Sequence, residues 1–352
     1  MEKINAMKKR IIICCDGTWN NPEKRDVTNV VKLTRAILPK DKDSVNQIVF
    51  YDWGVGSEGA STAIQGGAMG VGLDKNIRDA YRFLVHNYIS GDEIYLFGFS
   101  RGAYTARSTV GFIRNVGILK KEHAELIPKA YSMYRAKTHH PNSPKARRLR
   151  SQYSHVINEI PGNPCVPRIK FVGVWDTVGA LGIPLRVLED IKKKKYEFHD
   201  TQLSSTVEYA CHAVAIDEKR IDFKPALWVT QPTPDQTVRQ VWFVGVHCDI
   251  GGGYSEHKLS DIALKWMISH ASKQELAFNT RYIRQLTFSR TPLYLGKLHK
   301  SRRGVYWFKG THHRSIGKLP KCLESLNISV EKRYNEDKKY RPKKLVEYLK
   351  SK

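Results

Sequence analysis

Short apolar runs alternate along the first third of the chain with longer stretches in which apolar residues recur at helical spacing. Ile11 to Cys15 reads as a buried strand, and Val30, Leu33, Thr34, Ile37 and Leu38 then recur at helical intervals before a second strand, Ile48 to Tyr51. Gly66, Gly67, Gly70 and Gly72 read as a loop, followed by an amphipathic stripe of Ile77, Ala80, Tyr81, Leu84, Val85 and Tyr88 that ends at Gly91-Asp92. A third strand, Ile94 to Phe99, runs into Ser100-Arg101-Gly102, where Ala103, Ala106, Val110 and Ile113 open another helix. Strand–helix alternation of this kind predicts an α/β fold, α/β-hydrolase-like, with a mainly parallel sheet covered by helices on both faces.

Beyond residue 120 the periodicity loosens. Residues 120–167 and 185–235 read as insertions forming a helical or loop cap, with Val207 to Trp228 partly helical. Two more strands, Ile169 to Trp175 and Val241 to Val246, end in Asp176 and His247, and a helix is expected to start near Ser260 as its N-cap. The domain reading is therefore a catalytic unit over 1–296 followed by a basic segment, 297–352, packed on it or extending from it.

Charge changes the picture next. The 352 residues carry 59 Lys+Arg against 34 Asp+Glu, a net charge of +25, and residues 297–352 hold 17 cations against 5 anions. With the lysine run Lys192 to Lys195, such a surplus attracts polyanions, either an anionic membrane surface in peripheral contact or nucleic acid. Neither a zinc-finger spacing nor an aromatic RNA-binding motif accompanies the charge, which weighs against nucleic acid. No apolar run approaches the roughly 20 residues that cross a bilayer, and the basic start Met1 to Arg10 meets Asp16 too soon for a secretory signal. A cytoplasmic protein with reduced thiols at its six cysteines is the expectation, and oligomeric state is not encoded in any visible pattern.

Candidate chemistry centres on Gly98-Phe99-Ser100-Arg101-Gly102, a G-x-S-x-G between a strand and a helix. A tight turn there projects a serine hydroxyl out of the sheet, with a helix N-terminus facing any developing oxyanion. Serine needs a base and the base an orienting acid. His247 and Asp176 stand at later strand ends in the order Ser, Asp, His of α/β-hydrolases. The loop Asp16-Gly17-Thr18-Trp19-Asn20 after the first strand offers an oxyanion N–H from Gly17 or Thr18, the second coming from Arg101. Asp16 and Asn20 read as organisers of that loop, Gly98 and Gly102 as the glycines that let backbone pass close, and Asp249 as a brace for the loop around His247. Two competing readings use the same residues: Asp16 as the leading carboxylate of a phosphatase loop, weakened by Cys14 at the partner position, and His247, Asp249, Asp176 and Asp16 as a metal set, weakened by the lack of a second histidine at ligand spacing. No cofactor and no metal are expected.

Taken together, the Asp16-to-Asn20 start, the glycine stretch to Tyr81, Gly91 through Ala103, Gly173 through Gly179, Ala215-Ile216-Asp217-Glu218-Lys219-Arg220 and Trp242 through Tyr254 resemble the type VI secretion phospholipase effector-like catalytic domain, over about residues 10–290. The resemblance implies an esterase or phospholipase with Ser100 as nucleophile, His247 as base and Asp176 as its acid, acting on lipid acyl esters. Cys248 stands where the family pattern has serine. Membrane-engaging regions of the antibacterial members lie outside the catalytic domain, and a chain of this length leaves little room for them.

Overall fold

The computed structural model describes residues 8–17, 23, 25–54, 66–136, 140–155, 166–179, 202–229, 231–302, 306, 310–320 and 323–351. Its centre is a seven-stranded, all-parallel sheet: β1 (Arg10–Cys15), β2 (Gln47–Asp52), β3 (Glu93–Phe99), β4 (Ile169–Trp175), β5 (Val207–Ala215), β6 (Thr237–Phe243) and β7 (Glu324–Leu326), in spatial order 2-1-3-4-5-6-7. The expected α/β class is the one found.

Period-two alternation assigns each strand residue to a layer. Ile11, Ile13, Cys15, Ile94 and Leu96 join one core with α2 (Gly66–Asn87) and α3 (Arg101–Val116). Ile12, Cys14, Tyr95, Phe97 and Trp175 join the other with α1 (Asn29–Ala36) and the helix Lys258–Lys273. Burial on both faces is why these strands read as continuous apolar runs rather than alternating ones. The expected insertion over 120–167 supplies two helices, α4 (Ile127–Arg135) and α5 (Pro144–Tyr153), which pack against α3.

Four expectations are corrected. The glycine stretch is not a loop: α2 begins at Gly66, because the stripe from Leu73 to Tyr88 is fully packed and extending it backward costs only about 1 kcal/mol per glycine in helix propensity. Val207–Ala215 is a central strand, not a helix in an insertion. Its alanines favour helix locally, but pairing with β4 on one side and β6 on the other outweighs propensity. Ser260 lies inside the helix Lys258–Lys273, whose N-cap is His257, and its Oγ donates back to the His257 carbonyl at 2.9 Å. Lastly, β6 ends at Phe243, so His247 begins a short helix rather than closing a strand.

The segment from residue 297 onward is built into the sheet. It contributes β7, hydrogen-bonded beside β6, and two helices, Ile328–Glu336 and Lys343–Lys350; Val330 and Leu345 on these helices and Tyr340 between them share a third core with Val214, Trp242 and Leu259. The lysine run Lys192 to Lys195 lies outside the described residues. Among the described residues no helix is long and apolar enough to cross a membrane, and Cys14, Cys15, Cys211 and Cys248 are free thiols.

Candidate active site

Strand order reverses between β2-β1 and β3 onward, and in open parallel sheets the crevice at such a reversal, outside the carboxyl ends of the strands, is where ligands bind. Ser100 follows β3 directly, Asp176 follows β4, and Asp16 follows β1, so all three come to that edge.

The turn at Ser100 is strained. Its φ is 58° and ψ −119°, and Asp176 also has positive φ, at 39°. Of the four non-glycine residues with positive φ among the described residues, these two are at the candidate site, and such conformations persist only where surrounding structure holds them. Gly98 and Gly102 make the turn possible. A Cβ on Gly98 would sit 2.4 Å from the Gly102 carbonyl oxygen, and one on Gly102 would sit 2.1 Å from the Cys15 carbonyl oxygen. The helix therefore starts tight against the end of β1. Gly102→Ala should cost about 3 kcal/mol or more, since the clash is with backbone and outweighs the gain in helix propensity. Urea unfolding at the wild-type midpoint would contradict it.

Ser100 donates its backbone N–H to the Trp175 carbonyl at 3.1 Å, which ties the serine turn to the residue before Asp176. Asp176 is fully buried, and its Oδ2 stands 2.5 Å from His247 Nδ1. With Nδ1–H donating to that carboxylate, the other ring nitrogen, Nε2, holds the lone pair. The imidazole packs on the Phe99 ring at 4.6 Å, beside the serine, and against Phe223 edge-on at 4.9 Å. Burial lowers the pKa of His247, opposed by the hydrogen bond and charge of Asp176, and the net direction is downward. A downward shift favours the neutral ring.

Burial alone would raise the pKa of Asp176, yet Arg314 and His247 hold it well below the usual carboxylate range. Arg314, also fully buried, donates to Oδ1 at 2.5 Å and to Oδ2 at 3.0 Å, and Ala215 N–H adds a bond to Oδ1 at 3.0 Å. On the backbone side of His247, Glu218 Oε2 accepts the His247 N–H at 3.2 Å. Burial opposes ionisation of Glu218, but its bidentate pair with Arg220 brings its pKa down to about 2.

One oxygen of Asp249 accepts the Val246 N–H at 3.0 Å and the other meets His299 Nδ1 at 2.6 Å. Asp16 organises the first loop, accepting from Thr28 Oγ1 at 2.5 Å, Tyr51 O–H at 2.9 Å and Gly17 N–H at 2.7 Å. The Gly17 N–H, one of the two expected oxyanion donors, is thus bonded to Asp16. Thr18 and Asn20 lie outside the described residues. Among the described residues no group of three or more His, Cys, Asp or Glu is arranged to hold a metal ion. Arg101 is the first residue of α3, where its backbone N–H lies in the helix's opening turn.

Sequence reasoning missed Arg314, Glu218 and His299. Glu218 stands in a stretch that carried the family resemblance but no assigned role. Arg314 is one cation among 17 in a basic segment, and nothing in its flanking residues marks it as buried.

Residues 9–270 match the family model described as T6SS, phospholipase effector Tle1-like, catalytic domain. A curated relative, the uncharacterized protein YEL023C of Saccharomyces cerevisiae, is 32% identical over 238 residues, covering 64% of this chain and 33% of the relative. Among solved structures, an uncharacterized protein from Pseudomonas aeruginosa aligns with a TM-score of 0.46 at 16% identity, over 81% of this chain and 48% of the other. A Tle1 effector bound to the VgrG spike of the type 6 secretion system aligns with a TM-score of 0.41 at 21% identity, over 71% and 52%. The chain therefore spans about a third of the length of the yeast protein and about half of each solved chain.

Proposed function

Because the chain belongs to the Tle1-like phospholipase effector catalytic-domain family of type VI secretion, we propose that it is a serine hydrolase of lipid acyl esters working through Ser100, His247 and Asp176. The observation that carries the reading is the buried 2.5 Å contact of Asp176 with His247 Nδ1, the imidazole packing on Phe99, the residue before a serine in a strained strand-to-helix turn.

In this mechanism Ser100 Oγ attacks the ester carbonyl carbon while His247 Nε2 takes the hydroxyl proton. The carbonyl π electrons move onto oxygen, and that oxyanion accepts from backbone N–H groups: Arg101 is the donor proposed from α3, and Thr18 the donor proposed from the first loop. Collapse expels the alcohol, which receives the proton from the imidazolium. Water then attacks the acyl-enzyme with the same base, releasing the fatty acid and restoring Ser100. Asp176 stays ionised throughout and stabilises the imidazolium.

Peripheral contact with anionic lipid belongs to the same reading. Ile221 and Val229 are 42% and 50% exposed on the segment that carries Lys219 and Lys224, and Lys219, Lys343 and Lys344 each act on His313, whose pKa burial and then these three charges lower. A fluorophosphonate probe tests the activated serine: it should label the wild type at Ser100, and a folded protein that stays unlabelled defeats the reading. Fatty-acid release should be faster from vesicles containing anionic lipid than from zwitterionic ones, with the difference erased by salt. Equal rates on both would remove the docking element alone.

A further inference from the structure

The family match ends at residue 270, yet the acid of the proposed site is completed from residue 314. Besides its two bonds to Asp176, the Arg314 guanidinium donates to the Ala215 carbonyl at 2.9 Å and to the Phe223 carbonyl at 2.6 Å. One planar fork thus joins the residue after β4, the last residue of β5 and the loop whose aromatic ring edges the imidazole. Two further contacts come from the same stretch of chain: Ser301 Oγ donates to Glu218 at 2.8 Å, and His299 meets Asp249. We infer that Arg314 is a positioning residue of the site, fixing the plane and the charge of the Asp176 carboxylate on which His247 depends. The inference rests on the reading of His247 and Asp176 as base and acid.

Lysine could supply the charge but not the fork, since a guanidinium matches a carboxylate with two parallel N–H bonds. The charge matters because the imidazole sits in a balanced set. Asp176 pairs with Arg314 and Glu218 with Arg220, while His212 on β5, Arg107 on α3 and Cys248 beside the base complete the titratable and charged groups packed around it. Removing the Arg314 cation leaves the Asp176 charge beside His247 without its paired cation. An added negative charge favours the imidazolium, so the histidine should then titrate at higher pH, and the acid limb of kcat/KM should move with it.

The test compares full-length wild type, Arg314→Met and Arg314→Lys by histidine-selective 15N NMR, with His247→Gln to assign the signal, and by kcat/KM on p-nitrophenyl butyrate across pH. Arg314→Met should raise the His247 midpoint by about one pH unit and lower kcat on the order of a hundredfold with little change in KM. Arg314→Lys should return the midpoint close to wild type while recovering only part of kcat. If Arg314→Met does not accumulate as folded protein, Arg314→Gln removes the charge but keeps a donor and carries the same comparison. A folded, uncharged variant with an unmoved His247 midpoint overturns the inference. Loss of Ser100-dependent turnover in the wild type would instead defeat the hydrolase reading, and the NMR midpoint would still decide whether Arg314 sets the protonation of His247.

Discussion

Ser100→Ala is expected to lower kcat/KM toward p-nitrophenyl and lipid esters by a factor on the order of 10⁴ to 10⁶, while leaving the thermal transition within about 1 kcal/mol of wild type. The two halves of that result have separate causes. Hydrolysis through an acyl-enzyme has no substitute for the attacking oxygen, and the residue activity that survives in such variants comes from oxyanion donors and binding. Stability is spared because alanine keeps the Cβ, so the φ of 58° and the tight passage of Gly98 against Gly102 are unchanged. Rates measured beside calorimetry on the same preparation distinguish a missing nucleophile from a damaged fold. A variant retaining wild-type turnover sinks the mechanism.

Asp176→Ala has the opposite profile and the largest expected cost to the fold. It strands Arg314, a guanidinium with no exposure, against an apolar methyl, and breaking one partner of a buried pair costs about 3–5 kcal/mol. Alanine at a φ of 39° adds strain that aspartate and asparagine tolerate better. Asp176→Asn should therefore unfold at a temperature between wild type and alanine, although it also loses the charge that supports the imidazolium. Activity should fall about 10⁴-fold in both. Chemical denaturation reads the order directly: alanine less stable than asparagine, asparagine less than wild type. Equal stability of all three would mean that the Arg314 pair contributes nothing to folding.

How much of this was legible beforehand depended on whether a residue's role is local. β1 and β3 are fully buried parallel strands, so their apolar runs announce them, and the turn at Ser100 is marked by its own flanking glycines. β5 was hidden because Ala210, Ala213 and Ala215 suit a helix as well as a strand, and only its two neighbours decide between them. The glycines of α2 misled in the reverse direction, since their intrinsic preference yields to the packing of later turns. His247 could be singled out by order and spacing, though not by strand boundary. Arg314 could not be found at all: its significance consists of a contact across 138 positions, and a lone arginine carries no periodicity to point at a distant carboxylate.

That separation also has a timetable. A chain is made from its N-terminus, and domains begin to fold as they emerge. Ser100, Asp176 and His247 all leave the ribosome before Arg314 does, so the nascent sheet must hold a carboxylate with no cation opposite it until some 67 further residues beyond His247 have been added. An incomplete chain accordingly lacks the cation opposite Asp176, and that pairing waits until the C-terminal segment has been made.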